Sequence, residues 1–408
     1  MLTGPDLLAR FQALDDFLIA RQALWRPRPF TQPQLPWESE HPQLARWLRA
    51  RTLEQADADQ SCPERLPAPD PFRELAATAW ELGQVGELPE EMREEPPTRL
   101  SVDVPGRKWQ QIRAFASRLH FHQQPRHWLD WCAGKGHLGR LLAWQGGQPL
   151  LCLERDAALN RAGELLGIEV GISSRHVDAD VLSEDAWRYL QPQHSVVALH
   201  ACGQLHMTLL QQAAAHGCAQ IAISPCCYNR ISTADYQPLS ATARKARLQL
   251  TRDDLSLPMQ ESITAGQRTR RQRDQSMAWR LAFDLWQREA QGTDAYLPTP
   301  SRPESALRQG IASFCRDLAA HHQLQLREPD SWADLEQQGW HRLAQVRNLE
   351  LLRGLFRRPL EIWLLLDRAL YLQEAGYQVR LGQFCEQQLT PRNLLLVAEK
   401  STQIAPTL

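Results

Sequence analysis

Short apolar runs separated by amphipathic stretches dominate the pattern between residues 125 and 230. Apolar residues cluster at 128–129, 149–153, 195–199 and 220–224, whereas 157–166 and 205–216 have the character of helices. Apolar runs without polar alternation are typical of strands that a parallel sheet buries on both faces. The pattern therefore predicts an α/β domain with an open parallel sheet, to which 174–177 adds a further short strand.

A different pattern occupies the segment after residue 360. A strongly apolar helix is predicted at 361–374, and Gly376 stops it. The next residues alternate between apolar and polar types, with Tyr377, Val379 and Leu381 apolar. A second strand is predicted at 393–397, with no helix between the two. Consecutive strands of this kind form an antiparallel hairpin, which we expect at one edge of the sheet and which a dinucleotide-binding Rossmann domain does not ordinarily have.

The turn after the first predicted strand carries the most informative chemistry. Asp130 precedes glycines at 134, 136 and 139, which match the G-x-G-x-x-G pattern of dinucleotide-binding folds. Glycine lets this backbone take positive φ and approach a ligand closely. The glycines alone leave a nicotinamide or flavin enzyme open. Asp130, however, stands where such folds usually have an apolar residue, and a carboxylate there can hold a cationic amino group such as that of S-adenosylmethionine.

Polar residues also follow the other predicted strands. Glu154 comes about 20 residues after the first glycine, where an acid that binds ribose hydroxyls is expected. Asp178 follows the third strand and is expected at the adenine edge. The tips of the fourth and fifth strands add His200, Cys226, Cys227, Tyr228 and Asn229. Because ligands of open α/β sheets bind outside the carboxyl ends of the strands, these residues are expected to line one crevice.

Four motifs, in order over roughly residues 125 to 400, carry a family resemblance. They are Asp130-x-Cys132-Ala133-Gly134-Lys135-Gly136-His137-Leu138-Gly139, Leu199-His200-Ala201-Cys202-Gly203, Pro225-Cys226-Cys227-Tyr228 and Thr390-Pro391-Arg392-Asn393. The chain thereby resembles the Rossmann methyltransferases whose animal members include the glutathione S-transferase C-terminal-domain-containing protein. More distantly, it is similar to eukaryotic tRNA 2′-O-methyltransferases, although the Cys/His-rich zinc module of those enzymes is not found in this sequence.

The resemblance implies the class I, seven-stranded methyltransferase fold and S-adenosylmethionine as the cofactor. It implies cofactor contacts at Gly134, Gly136 and Glu154. With the residues above, the predicted cofactor site comprises Asp130, Cys132, Ala133, Gly134, Gly136, Leu138, Glu154, Asp178 and His200. Structured RNA is the favoured substrate, and a protein or a small molecule is the alternative. An NAD-dependent oxidoreductase and a non-catalytic binding module are further alternatives.

The predicted catalytic residues lie at the tips of the fourth and fifth strands: His200, Cys226, Cys227, Tyr228 and Asn229. His200 would act as general base if the acceptor must lose a proton. A cysteine thiolate could instead add to C6 of a pyrimidine and activate C5, but we favour positioning of the acceptor by the Cys-Cys-Tyr-Asn turn. Cys202, Cys226 and Cys227, with His200 and His206, are residue types that suit zinc, yet neither a C-x-x-C nor an H-x-x-x-H pair is present, so no metal is expected.

Charge is distributed unevenly along the 408 residues, whose formal net charge is -1. Residues 1–104 hold 18 Asp and Glu against 11 Arg, and 13 of the 27 prolines, which predicts a separate, acidic, mainly helical region that could bind a protein partner. The methyltransferase core is predicted in two parts, at 105–229 and 346–408. The segment 230–345 between them is longer than an ordinary crossover loop and is predicted to be an insertion.

The first part of this insertion is basic, with 11 Arg and Lys against 7 Asp and Glu between residues 230 and 289. Four arginines fall within six positions, namely Arg268, Arg270, Arg271 and Arg273. We expect them to contact the phosphates of an RNA substrate. The alternative is a solvated helix face whose arginines pair with nearby acids, namely Asp253, Asp254, Glu261 and Asp274.

The sequence shows no run of 18 apolar residues and no secretory signal. Its nine cysteines, an odd number found mostly in apolar contexts, favour a reducing compartment over a disulfide framework. The chain is therefore expected to be a cytoplasmic protein that does not contact a membrane.

Overall fold

The computed structural model describes residues 1–260 and 267–400, apart from the side chain of Gln267. The strands in this part are β1 (Leu2–Thr3), β2 (His127–Trp131), β3 (Leu150–Glu154), β4 (Ser174–Asp178), β5 (His194–Cys202), β6 (Gln220–Cys226), β7 (Tyr377–Gln383) and β8 (Leu394–Lys400). They form one sheet in the order β1-β7-β8-β6-β5-β2-β3-β4.

The order and direction of the strands confirm the predicted class I methyltransferase fold. Strands β2 to β6 are parallel to their neighbours within this group, whereas β8 is antiparallel to both β6 and β7. The chain runs outward from β2 through β3 to β4 and then returns to β5 and β6 on the other side of β2. Open α/β sheets bind their ligands at such a reversal, which here lies at the carboxyl ends of β2 and β5.

An eighth strand, β1, was not expected from the sequence. It pairs antiparallel with β7, so that Leu2 lies opposite Leu381. A strand of two residues is too short to show the alternation by which strands are recognised in a sequence.

The α-helices in the described ranges are α1 (Pro5–Ala20), α2 (Gln22–Trp25), α3 (Pro42–Arg49), α4 (Leu53–Asp59), α5 (Phe72–Gly83), α6 (Gly106–Arg118), α7 (His137–Gly146), α8 (Ala157–Glu169), α9 (Glu184–Trp187), α10 (Gln204–Ala215), α11 (Ala241–Arg244), α12 (Gln267–Gln291), α13 (Glu304–Leu307), α14 (Gly310–His321), α15 (Trp332–Gly354) and α16 (Arg357–Glu374). Short 3-10 helices occur at Pro36–Glu38, Pro63–Arg65, Thr98–Ser101 and Asp254–Met259. None of the helices described is long and apolar enough to cross a membrane.

The chain divides into two compact units. Among the described residues, the first comprises Met1–Ala20, Leu82–Met259 and 358–400, and the second comprises Arg21–Glu81, Gln260 and 267–357. The whole sheet belongs to the first unit. The division expected from the sequence, at 104, 229 and 345, has other boundaries because it follows charge and composition, whereas the units follow packing.

The core of the first unit joins α6 and α7 to the sheet. Its fully buried side chains include Ile112 and Phe115 from α6, Leu141 from α7, and Val197 and Val397 from the strands. Burial of one such side chain contributes about 1.5–3 kcal/mol. This packing fixes α6 and α7 beside the carboxyl end of β2, which is where the glycine turn lies.

The second unit is helical, with α12 packed against α14 and α15. Gly339 permits the close approach of α15 to α12, because a Cβ at this position would lie 2.5 Å from the carbonyl oxygen of Ala278. The arginines of the basic cluster are exposed on the first turns of α12: Arg268, Arg270, Arg271 and Arg273. Among the acids expected near this cluster, Asp274 pairs with Arg347 at 2.6 Å, and Glu261 lies outside the described residues.

Candidate active site

The turn between β2 and α7 has a backbone conformation that requires glycine. Gly134 and Gly136 have φ of +58° and +69°. A Cβ on Gly136 would lie 2.8 Å from the sulfur of Cys152, and one on Gly139 would lie 2.5 Å from Cδ1 of Leu150. Both distances are too short for a side chain, so the turn and the start of α7 lie directly against the sheet. The glycines therefore have the backbone and packing roles expected from the sequence.

Asp130 lies at the end of β2 beneath this turn and is only 3% exposed. Its Oδ2 accepts a hydrogen bond from the backbone N–H of Gly139 at 2.9 Å. Burial raises the pKa of Asp130 to about 7, although the hydrogen bond from Gly139 and the charge of Lys108 act in the opposite direction. Asp130 thus titrates near neutral pH, and a cationic ligand nearby would favour its charged form.

Two more acids stand at the tips of β3 and β4, where they are partners in the strand register. Glu154 is half-buried, and its Oε2 accepts a hydrogen bond from the backbone N–H of Gly134 at 3.0 Å. Asp178 is exposed, and its Oδ1 accepts a hydrogen bond from Nδ2 of Asn160 at 2.6 Å. The same amide nitrogen donates to the backbone carbonyl of Glu154 at 2.9 Å. Three adjacent parallel strands therefore end in carboxylates.

His200 occupies the tip of β5 in a left-handed conformation, with φ of +69°. Its Nε2 lies 2.9 Å from Oε1 of Gln111. Because a carboxamide oxygen only accepts hydrogen bonds, Nε2 carries the hydrogen and Nδ1 is the basic nitrogen. Burial, followed by the charge of Lys108, lowers the pKa of His200. The lowered pKa favours the neutral form of the ring.

Three cysteine sulfurs converge beside His200. The Sγ atoms of Cys202, Cys226 and Cys227 all lie within 4.8 Å of one another, and those of Cys202 and Cys226 are 3.3 Å apart. The hydrogen bond from Cys226 lowers the pKa of Cys202 to about 6, whereas the pKa of Cys226 is raised by the same contact and by burial. Cys202 was not among the predicted catalytic or cofactor-binding residues. It nevertheless ends β5 just as Cys226 ends β6.

Residues 107–234 match the family model described as a methyltransferase domain. This range contains strands β2 to β6 and all the strand tips described above. The chain carries a methyltransferase domain. The predicted enzyme class is thereby confirmed, and no curated protein matches the chain in a sequence comparison.

Solved methyltransferase structures are similar to this enzyme at low identity. Precorrin-6Y C5,15-methyltransferase from Geobacter metallireducens GS-15 is 13% identical, with a TM-score of 0.25, over 28% of this chain and 61% of that one. Magnesium protoporphyrin IX methyltransferase from Synechocystis PCC 6803 is 12% identical, with a TM-score of 0.25, over 31% of this chain and 63% of that one. An rRNA methylase from Streptococcus thermophilus is 11% identical, with a TM-score of 0.23, over 29% of this chain and 70% of that one. This chain thus spans less than two thirds of the first two proteins.

S-adenosylmethionine is the cofactor of this methyltransferase, as predicted, and the chemistry of the crevice fits it. Acidic side chains end β2, β3 and β4, where they suit an ammonium group and the hydroxyls of a ribose. Between the first two of these strands the glycine turn exposes backbone without side chains. No basic residue ends any of these three strands, so the three carboxylates suit a ligand with a positive charge.

Helix α6 contributes Gln111, a residue at the strand tips that the sequence did not single out. Gln111 contacts His200 and also donates through Nε2 to the carbonyl of Leu389 at 3.2 Å. Arg107 donates to the same carbonyl at 2.8 Å. Lys108 is exposed, and its charge acts on both Asp130 and His200. The contact of Gln111 with His200 joins residues 89 positions apart, so the sequence pattern could not predict it.

Among the other predicted site residues, Tyr228 and Leu138 have side chains in the interior, whereas Cys132 and Asn229 lie in the turns after β2 and β6. Tyr228 is 1% exposed, and its hydroxyl lies 3.4 Å from Oε1 of Glu361 in the interior. Leu138 is 5% exposed and packs in the core of the first unit. Cys132 is half-buried with φ of +57°, and the N–H of Ala133 donates to the carbonyl of Leu153 at 3.0 Å. Asn229 is half-buried in the turn after β6.

Proposed function

We propose that this methyltransferase acts on RNA and that its acceptor is held at the carboxyl ends of β5 and β6. S-adenosylmethionine supplies a methyl group that its sulfonium already makes electrophilic. The protein would therefore contribute mainly proximity and orientation, which can lower a barrier by about 7–11 kcal/mol. The exposed arginine cluster on α12 is the observation that carries the choice of RNA.

The strand tips supply the groups that would hold the cofactor. In this proposal the carboxylate of Asp130 faces the ammonium group, Glu154 accepts hydrogen bonds from the ribose hydroxyls, and Asp178 lies at the adenine edge. The remaining contacts come from the turn and from the tip of β5, namely Cys132, Ala133, Gly134, Gly136 and His200, whereas the side chain of Leu138 packs in the core. A carboxylate should bind the cofactor more strongly than a neutral acceptor would, because hydrogen bonds to charged groups contribute about 1.5–3 kcal/mol.

The tips of β5 and β6 would position the acceptor. When the acceptor is a hydroxyl or an amine, Nδ1 of His200 can receive its proton, because Nε2 is engaged with Gln111. Cys226, Cys227 and Asn229 lie in the turn that would orient the acceptor from the other side, whereas the side chain of Tyr228, also predicted for this role, is buried in the interior. In this proposal the cysteines do not attack the acceptor.

The arginine cluster on α12 has the chemistry of a phosphate-binding surface. Arg268 is 80% exposed and approaches Glu304 only at 3.5 Å. Asp274, the acid within this segment, is already paired with Arg347. Exposed guanidinium groups bind phosphate oxygens in a bidentate way, and a series of them follows a nucleic-acid backbone. The resemblance to tRNA 2′-O-methyltransferases supports the same substrate class, and membership of the family named above is part of the proposal.

Transfer of a labelled methyl group tests the substrate class. The purified chain is incubated with S-adenosylmethionine labelled in the methyl group and, separately, with total RNA, total protein and a small-molecule extract of the same cells. We expect label in RNA that ribonuclease releases. Label in protein or in small molecules alone would overturn the proposal and favour the alternative acceptor. We place the reaction in the cytoplasm, because the nine cysteines of the sequence favour a reducing compartment.

A variant with glutamine at 268, 270, 271 and 273 tests the surface itself. Its affinity for the RNA fraction should have a weaker dependence on salt, with the log–log slope reduced by up to about 3 for four phosphate contacts. A control variant carries Arg316→Gln and Arg327→Gln, two exposed arginines elsewhere in the second unit. An unchanged slope in the first variant would exclude the cluster as the RNA contact.

A further inference from the structure

We propose that Cys202, Cys226 and Cys227 form a zinc site with an open fourth position at the carboxyl ends of β5 and β6. The metal site goes beyond methyl transfer to RNA and does not depend on the substrate, whereas the assignment of its fourth position rests on the acceptor site proposed above. The spacing of the cysteines in the sequence gives no sign of such a site. The fold creates it by bringing two loops together.

The sulfur positions suit a single metal ion. All three Sγ atoms lie within 4.8 Å of one another, and Cys202 and Cys226 are 3.3 Å apart. Tetrahedral zinc with bonds of about 2.3 Å places its sulfur ligands ~3.8 Å apart. The observed separations bracket that value, so small side-chain rotations would suffice. Thiolates are soft ligands that select zinc over magnesium or calcium.

Backbone hydrogen bonds lock the two loops that carry the sulfurs. The N–H of Gly203 donates to the carbonyl of Cys226 at 3.1 Å, and the N–H of Gln204 donates to the carbonyl of Arg230 at 2.8 Å. The backbone N–H of Arg230 in turn donates to the carbonyl of Cys227 at 3.0 Å. A Cβ on Gly203 would lie 2.1 Å from the carbonyl oxygen of Arg230, so only glycine permits this approach. The cluster is therefore preorganised, as a metal site requires.

The backbone around the sulfurs is also strained. His200 and Cys227 have φ of +69° and +48°, a region that costs a residue other than glycine about 1–3 kcal/mol. The pairing of β5 with β6 shifts register between Leu199 and Cys202, which changes the direction of the last residues of β5. Cys202 and Cys227 are half-exposed rather than buried like ordinary core thiols. Strain of this kind concentrates at functional sites.

The proposed site lacks a fourth protein ligand in the described part of the chain, since no histidine, aspartate or glutamate there belongs to the group. Structural zinc sites have four protein ligands, whereas catalytic sites have three and bind water or substrate in the fourth position. The three cysteines lie at the strand tips, where the acceptor is expected. We therefore assign the fourth position to water or to an atom of the acceptor.

Cobalt is the probe for this site, because Co²⁺ replaces Zn²⁺ in tetrahedral thiolate sites and absorbs light. The full chain is stripped of metal under a phosphine reductant and titrated with Co²⁺. We expect one ion per chain, with a thiolate-to-metal band in the near ultraviolet and tetrahedral bands in the visible, both removed by one equivalent of Zn²⁺. Metal analysis of the untreated protein should find zinc. Absence of stoichiometric binding, or iron or copper in place of zinc, would overturn the proposal.

Separate Cys202→Ser, Cys226→Ser and Cys227→Ser variants identify the ligands. Each should lose the thiolate band or weaken Zn²⁺ binding at least ~100-fold, because even residues outside the ligand set change metal affinity 10–100-fold. Cys385→Ser is the matched control, a half-exposed cysteine outside the cluster. Circular dichroism shows whether each variant is folded. If Cys226→Ser does not fold because this cysteine is buried, Cys227→Ser decides the result. Undiminished binding in a folded Cys202→Ser or Cys227→Ser variant would refute the site.

Discussion

Glu154 accepts a hydrogen bond from the backbone N–H of Gly134 and thereby fastens the tip of β3 to the glycine turn after β2. Its other oxygen accepts from the N–H groups of Arg155 and Asp156, at 2.8 and 3.0 Å. The carboxylate is thus fixed by its own backbone environment in the absence of a ligand. A group already held in place loses little entropy when a ligand binds.

Replacement of this carboxylate by an amide should weaken cofactor binding. Glu154→Gln keeps the size of the side chain but removes the charge, so the ribose hydroxyls would lose a charge-assisted acceptor. We expect the Kd for S-adenosylhomocysteine to rise about 10–100-fold in calorimetric titration, from the 1.5–3 kcal/mol typical of such bonds. Glu169→Gln, an exposed acid on α8, is the control. Equal affinity in the two variants would refute the ribose contact.

Cofactor affinity should increase with pH because of Asp130. Burial raises the pKa of this carboxyl to about 7, and the charges of Lys108 and Arg140 only partly offset that effect, while Glu154 adds to it. An ammonium ligand binds the charged form better, so affinity should rise between pH 6 and 8, by at most about tenfold per pH unit. Asp130→Asn should bind more weakly and lose this rise. A wild-type affinity that stays constant over the range would show that Asp130 does not face the ammonium group.

The same carboxyl should have the opposite effect on folding. Between the ordinary aspartate pKa of about 4 and the folded value near 7, the folded chain binds more protons than the unfolded one. The free energy of unfolding therefore falls as pH rises through this window and stops changing above it. Urea unfolding at pH 5, 6 and 7 should show a smaller decline for Asp130→Asn than for the wild type. Equal declines would mean that the carboxyl titrates normally.

Gly203→Ala should destabilise the first unit strongly. Gly203 has φ of +52°, and its Cβ would overlap the carbonyl of Arg230. Strain and overpacking together predict a loss of at least about 3 kcal/mol. Gly171→Ala is the matched control, because Gly171 has φ of +70° but open space around it, and it should cost about 1–2 kcal/mol. Similar urea midpoints for the two variants would contradict the close approach of the loops.

Arg368 should be essential for the stability of the interior near β5. Its Nε donates to Nε2 of His206 at 2.8 Å, its Nη1 donates to the hydroxyl of Tyr236 at 3.1 Å, and its guanidinium lies 5.4 Å from the ring centre of Tyr228. Arg368→Met would leave these buried polar groups without their donor, at a cost of about 3–5 kcal/mol. Thermal unfolding measures the loss, and Arg161→Met, on the exposed face of α8, should be near neutral.

The sheet could be predicted because its central strands are continuous apolar runs. The run at 195–199 located β5, although the strand extends from His194 to Cys202 through an irregular end. The acids at 130, 154 and 178 could be identified because the carboxyl ends of parallel strands meet. The three cysteines could be grouped as strand-tip residues from the sequence, but the distances between their sulfurs and the contact of Gln111 with His200 could not be predicted, since both depend on how distant segments pack.

Strand β8 lies between β6 and β7, although it follows every other described strand in the chain. During synthesis the parallel strands β2 to β6 emerge first, and the edge of β6 that β8 will cover stays unpaired while residues 227–393 are made. Open strand edges template aggregation. Translation of this enzyme therefore includes a long interval with an unfinished sheet, and products that stop within that interval should depend on chaperones rather than persist as stable fragments.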